Sequence, residues 1–179
     1  MEHAFQPRFE PGGIADWISA YPDPESDAPA VAAGASARHR GWLSPEEFME
    51  IGDWKSLRSR SRRRRNDADF IESVSRVALS TPCERLRIEA LTLLDGVDWP
   101  TASALLHLCH ADRYPILDRR ALWSLGVGDA RINFAFWWSY VLECRRLADG
   151  AGLSMRLLDR ALWGYSAQNE RPASEAHGT

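Results

Sequence analysis

The stretch GVDWPTASALLHLCHADRYPILDRR, residues 96 to 120, decides how this chain is read. Gly96 lies in an L-x-G-V turn between two apolar runs, and Asp118 comes 22 positions later. Between them Ala102, Leu105, Leu106 and Cys109 recur at the three- and four-residue spacing of one helix face, so a helix is expected from about Trp99 to His110. The next segment, ADRYPI, has a proline and no such period. It predicts a loop, then a short helix that starts near Asp118 and ends at Gly126.

The helical pattern continues outward from this stretch. Leu43, Ser44, Pro45, Glu46, Glu47 and Phe48 spell a helix start: a serine cap, a proline in the first turn, Glu47 closing a capping box, and Leu43 set against Phe48. A further helix carries Phe70, Ile71, Val74, Val77 and Ala78 along one face. Another opens at Thr81, Pro82 and Glu84, with Leu86, Ala90 and Leu94 expected inward. Two tryptophan-rich helices are expected near 133–148 and 154–166. No segment of the body alternates apolar and polar residues as a half-buried strand does, so the expected fold class is all-α, a compact helical bundle. Residues 1–41 hold five of the ten prolines and the run AVAAGASA, and are read as a partly irregular N-terminal arm with a short helix around IADWISAY. Residues 42–167 are read as the helical domain and 168–179 as a flexible tail.

Composition narrows the function classes. With 45% hydrophobic and 26% charged residues the chain reads as globular, and no stretch approaches the roughly 18 apolar residues of a membrane span. MEHAFQPRFEPGG lacks the basic segment and apolar run of a secretory leader, so a cytoplasmic location without membrane contact is expected. Cys83, Cys109 and Cys144 are widely spaced and read as reduced, buried thiols. His107, Cys109 and His110 are close in sequence, but a helix would turn Cys109 away from the two histidines, so no metal and no other cofactor is expected. The formal charge of -3 hides a polarised distribution: KSLRSRSRRRR, residues 55–65, holds seven of the 22 basic residues and no acid. Such a cluster either neutralises phosphates or stands as a solvated loop.

A turn of this kind, where glycine permits a tight bend before a helix, presents backbone N–H groups at the positive end of the helix dipole and suits a phosphate. Together with its continuation TASALLHLCHADRYPILD, the turn resembles the helix-hairpin-helix DNA glycosylases, in particular the adenine-mismatch branch of the endonuclease III superfamily. The resemblance covers roughly residues 86–126 and rests on Leu94, Gly96, Val97, Thr101 and Ala102 of the hairpin and on Asp118 within Pro115, Ile116, Leu117 and Asp118. It implies a helix-hairpin-helix motif that holds duplex DNA and flips one base out, with Asp118 as the catalytic carboxylate. The chemical reason is that breaking the bond between base and sugar builds positive charge on the sugar, which a nearby carboxylate stabilises. Lyase-competent members place a Schiff-base lysine four residues after the first hairpin glycine; here that position is Pro100, which implies base removal without strand cleavage. The chain departs from the pattern at Asp98, which replaces the second hairpin glycine, at Arg119 and Arg120, which come directly after the aspartate, and in lacking the cysteines of an iron-sulfur cluster.

The residues also admit plainer roles. Asp118 suits the N-cap of the helix after it, and Asp98 could cap its own helix and fill the anion site internally. A near copy of the motif, LLDRALWGYS, places Asp159 mid-helix, where it is expected on the surface beside Arg156. The expected DNA contacts are Gly96, Val97, Asp98, Thr101, Arg62, Arg63, Arg64, Arg65 and Arg119. The expected base-pocket residues are Trp54, Lys55, Trp99 and Tyr114, against the alternative that the tryptophans are core. Glu50 is the candidate second acid for protonating the leaving base. The rival to a monofunctional glycosylase is a non-enzymatic helix-hairpin-helix module that binds DNA or a protein.

Overall fold

The computed structural model describes residues 5–22, 24–128 and 130–170. The chain is all-α, and no strand occurs among the described residues. The α-helices are α1 (Ala28–Arg40), α2 (Pro45–Lys55), α3 (Arg60–Arg63), α4 (Ala68–Ser80), α5 (Glu84–Leu91), α6 (Trp99–Cys109), α7 (Arg119–Ser124), α8 (Phe134–Ala151) and α9 (Met155–Asn169). Short 3-10 helices occupy Pro11–Ala20, Pro24–Asp27 and Leu57–Ser59. The chain divides into two units: Asp23–Leu117 with Arg131–Val141, and Met1–Pro22 with Asp118–Ala130 and Leu142–Thr179.

In the larger unit α2 starts as its sequence predicts. The Ser44 hydroxyl accepts from the Glu47 N–H at 3.3 Å, the Glu47 carboxylate accepts from the Ser44 N–H at 2.9 Å, and Leu43 and Phe48 are both buried. These reciprocal bonds satisfy N–H groups that a helix start leaves without partners. The alanine-rich run read as part of an irregular arm is instead α1. Ala30, Gly34 and Ala37 form its buried face, and a Cβ at Gly34 would lie 2.6 Å from Leu108 Cβ and 2.7 Å from Leu108 O. Small side chains let α1 approach α6 this closely.

α4 and α5 form where expected but turn differently. Ile71, Val74 and Ala78 are buried on α4, while Phe70 and Val77 stand out at 43% and 41% exposure. On α5 the buried set is Arg87, Ile88, Ala90 and Leu91, and Leu86 faces outward. The cause is Arg87, whose guanidinium donates to Ala78 O at 2.9 Å and to Thr81 O, and pairs with Glu84. A buried cation with carbonyl and carboxylate partners takes a position the apolar pattern would give to leucine. Cys83 caps α5, and Thr81 accepts from the Cys83 N–H at 3.1 Å.

The smaller unit shows why the first residues are not an arm. Gln6 N–H donates to Leu125 O and Arg8 N–H to Ser124 O, both at 2.9 Å, which ties the extended N-terminal segment to the end of α7. Phe9 and Ile14 are buried, and the Pro11–Ala20 helix packs on α9, where Tyr165 meets the rings of Phe9 and Trp17 edge-on at 5.5 and 5.1 Å. The Ser124 hydroxyl donates to Leu162 O at 2.7 Å, joining α7 to α9. α9 starts where a helix near 154–166 is expected, with Ser154 as its cap, and Gly126 closes α7 in the left-handed region. Asp159, expected at the surface, is buried.

Candidate nucleic-acid interface

The Gly96 turn is built against the arginine segment. Gly96 has φ +77, and a Cβ there would lie 2.9 Å from both Arg63 N and Ser59 O, and 3.0 Å from Arg62 Cβ. Left-handed backbone and backbone contact thus both demand glycine. Asn66 locks the two pieces together: its carbonyl accepts from Asp95 N–H at 2.8 Å, and its amide donates to Asp95 O at 3.0 Å and to Arg63 O at 2.8 Å. No sequence signal connects Asn66 with Asp95, since the pairing spans 29 residues.

Beyond the turn Asp98 caps α6. Its Oδ1 accepts from the Thr101 N–H at 3.0 Å and from the Thr101 hydroxyl at 2.8 Å. An internal carboxylate therefore meets the Thr101 amide in the first turn of α6, where an external phosphate would otherwise sit. Thr101 and Val97 are buried, so their side chains support the turn from inside instead of reaching outward as the sequence pattern suggests. Gly96 is half-buried and Asp98 is exposed.

The arginine run divides by exposure. Arg63 is buried at 1%, pairs with Asp53 at 2.7 Å and donates to Ser56 O at 2.7 Å, so it is not presented to a phosphate. A buried guanidinium needs such partners, and Asp53 supplies them for Arg60 as well, at 3.0 Å. Arg58, Arg62, Arg64 and Arg65 are exposed, and Arg62 donates to the Ser59 hydroxyl at 2.8 Å. Asp53, unremarked in the sequence, is what organises this segment.

The expected base-pocket aromatics pack in or on the core of the larger unit. Trp54 donates from its indole to Asp27 at 2.8 Å and packs on the core of the larger unit. Trp99 lies 6.5 Å from Trp137, ring centre to ring centre, and also packs on that core. Tyr114 is buried, stacks on Trp137 at 5.8 Å with planes 16° apart, and donates to Glu84 at 2.7 Å. Burial, then the Glu84 hydrogen bond, push its phenol far above the usual range. Lys55 ends α2 half-buried, and Glu50 stands exposed on the same helix.

The segment that follows α6 is held within the larger unit. Tyr114, Pro115, Ile116 and Leu117 are buried without regular structure, so their backbone groups need partners. Leu117 N–H donates to the Ser103 hydroxyl at 2.8 Å, Ile116 O accepts from the Tyr140 hydroxyl at 2.8 Å, and Tyr114 O lies 2.7 Å from His107 Nδ1. Asp118 comes next in extended backbone, φ -126 and ψ 143, and its Oδ1 accepts from the Arg120 N–H at 2.9 Å as the cap of α7. Arg119, expected on DNA, forms a two-point pair with Glu170 at 2.5 and 3.1 Å. That hydrogen bond holds the Glu170 carboxyl below its usual range.

His107 and His110 are engaged with Tyr114 O and with Arg87, the latter at 2.5 Å. Among the described residues no group of three or more His, Cys, Asp or Glu side chains is placed to hold a metal ion. Cys109 and Cys144 are buried, and burial with the Glu47 charge pushes the Cys109 thiol up to about 12, whereas Cys83 is exposed, contrary to expectation. No described helix is long and apolar enough to cross a membrane. Comparison with protein-family models, with curated proteins and with solved structures yields no match.

Proposed function

We propose that this chain binds duplex DNA through the arginine segment seated on the Gly96 turn, and removes a damaged or modified base as a monofunctional glycosylase. The reading is supported above all by the seating of the arginine segment on the Gly96 turn, which puts exposed cations beside the element that the resemblance assigns to phosphate. Arg58, Arg62, Arg64 and Arg65 attract the backbone, and Asp118 is the carboxylate that stabilises the sugar cation and orients water. Pro100 in the lysine position keeps the reaction to base release.

The test separates charge from capping. Asparagine caps a helix about as well as aspartate, whereas alanine costs about 1 kcal/mol. Asp118→Asn is therefore expected to keep its melting temperature and DNA affinity while losing base release, read as alkali-sensitive strand breaks in duplexes carrying candidate bases. Full activity in that variant overturns the catalytic role. The non-enzymatic module is favoured by one observation, that Asp118 already serves α7 as its cap. Salt-sensitive duplex binding without breaks across a broad base panel would establish it instead.

A further inference from the structure

In the smaller unit four half-buried side chains form a row, two rings bracketed by two guanidinium groups. The Arg160 guanidinium lies over Tyr21 at 5.4 Å, Tyr21 meets Trp163 edge-on at 5.5 Å with planes 75° apart, and the Arg120 guanidinium covers Trp163 at 4.7 Å. The ladder has a simple origin in the chain. Arg160 and Trp163 are three residues apart on α9 and share a face, Tyr21 succeeds the Pro11–Ala20 helix that packs there, and Arg120 sits in the first turn of α7. Arg120 also donates its N–H to Asp118, so the ladder begins at the proposed catalytic residue.

The arrangement differs from that of Trp137, which is fully buried in the core of the larger unit. Here each of the four residues keeps part of its surface toward solvent. A planar guanidinium stacks on bases as an aromatic ring does and also meets phosphate, so a ladder of two rings bracketed by guanidinium groups suits a strand whose bases are unpaired. Every base has a π face, which makes such a platform tolerant of sequence.

We infer that Arg160, Tyr21, Trp163 and Arg120 form a binding site for an unpaired stretch of nucleic acid. The site extends the DNA reading above and rests on it: the strand opened by base extrusion lies along the ladder next to Asp118. Its chemistry requires bases as well as charge, which distinguishes it from an acidic protein partner.

The test uses the full chain and a short labelled oligodeoxythymidylate followed by fluorescence anisotropy, with polyglutamate as a competitor that has charge but no bases. Trp163→Leu is expected to weaken binding on the order of tenfold, the loss of one stacked base. Arg120→Gln, a milder change at the other end of the contact, is expected to weaken it several-fold, and polyglutamate to displace poorly. Duplex affinity of both variants should stay within about twofold, because the arginine segment belongs to the larger unit and these residues to the smaller. Wild-type binding by both variants with unchanged helical circular dichroism overturns the site, as does displacement by polyglutamate as effective as by unlabelled oligonucleotide. Should Trp163→Leu lose its helical signal, Arg120→Gln decides alone. Duplex binding and base release without any oligonucleotide binding sink the ladder and leave the proposed function intact. Oligonucleotide binding without base release does the reverse.

Discussion

At Gly96 two requirements converge on one atom. The left-handed backbone disfavours any side chain by about 1–3 kcal/mol, and a Cβ would also press on the backbone of Ser59 and Arg63, which cannot swing aside as a side-chain tip can. Gly96→Ala is therefore expected to destabilise the chain by about 2 kcal/mol or more in urea denaturation and to loosen the arginine segment from the turn. An Ala variant as stable as wild type would mean that this contact is absent in solution. Glu170 gives a second residue-scale prediction. Its carboxyl is held low by Arg119, so the folded state binds its proton less readily than the unfolded chain does. The stabilisation is complete above the ordinary carboxyl value of about 4.3 and disappears as pH falls through the lower folded value. Melting curves of wild type and Glu170→Gln should differ at neutral pH and converge in acid. With Arg119 largely exposed, the difference will be small.

Among the elements, α1 offers the sharpest contest of magnitudes. Replacing Gly34 by alanine improves helix propensity by about 1 kcal/mol, but overpacking commonly costs about 1–3 kcal/mol. Since the new Cβ would meet Leu108 backbone as well as side chain, the packing cost should win. Gly34→Ala is expected to lower the denaturation midpoint, and a raised midpoint would show that α1 and α6 are farther apart. For the arginine segment the helical turn matters less than which cations point outward. Arg63 holds the segment together from inside, so its replacement by alanine should cost stability before it costs DNA binding.

For the molecule as a whole, the charge distribution limits how DNA is held. Outside residues 55–65 the chain has 15 basic (22 minus 7) against 25 acidic residues, so attraction is local. With Arg58, Arg62, Arg64 and Arg65 as the outward cations of the segment, the log-log dependence of duplex affinity on salt should be no steeper than about -4, from roughly 0.9 per phosphate. A slope near about -8 would require a second cationic surface. Thiol chemistry tests the packing. Cys83 is exposed whereas Cys109 and Cys144 are buried, so a thiol-disulfide reagent should modify one cysteine quickly in the folded chain and all three after denaturation.

What the residues determined alone was local. Helix starts at Ser44 and Ser154, the cap at Asp118, the glycine stop at Gly126 and the apolar stripe of α6 are set by groups a few positions apart, and each is found where the pattern placed it. The all-α class is a consequence, because repeated helical periods leave no segment that alternates. Tertiary structure decided which polar residues turn inward: Arg63 through Asp53, Arg87 through Ala78 and Thr81, and Thr101 through Asp98. It also decided that an alanine-rich stretch is a close-packing helix and that Tyr114, Trp54 and Trp99 support a core. The physical reason is the same in each case. A period records how often apolar residues recur, whereas burial of a charge or a small residue depends on a partner brought from far along the chain, as Asn66 is brought to Asp95.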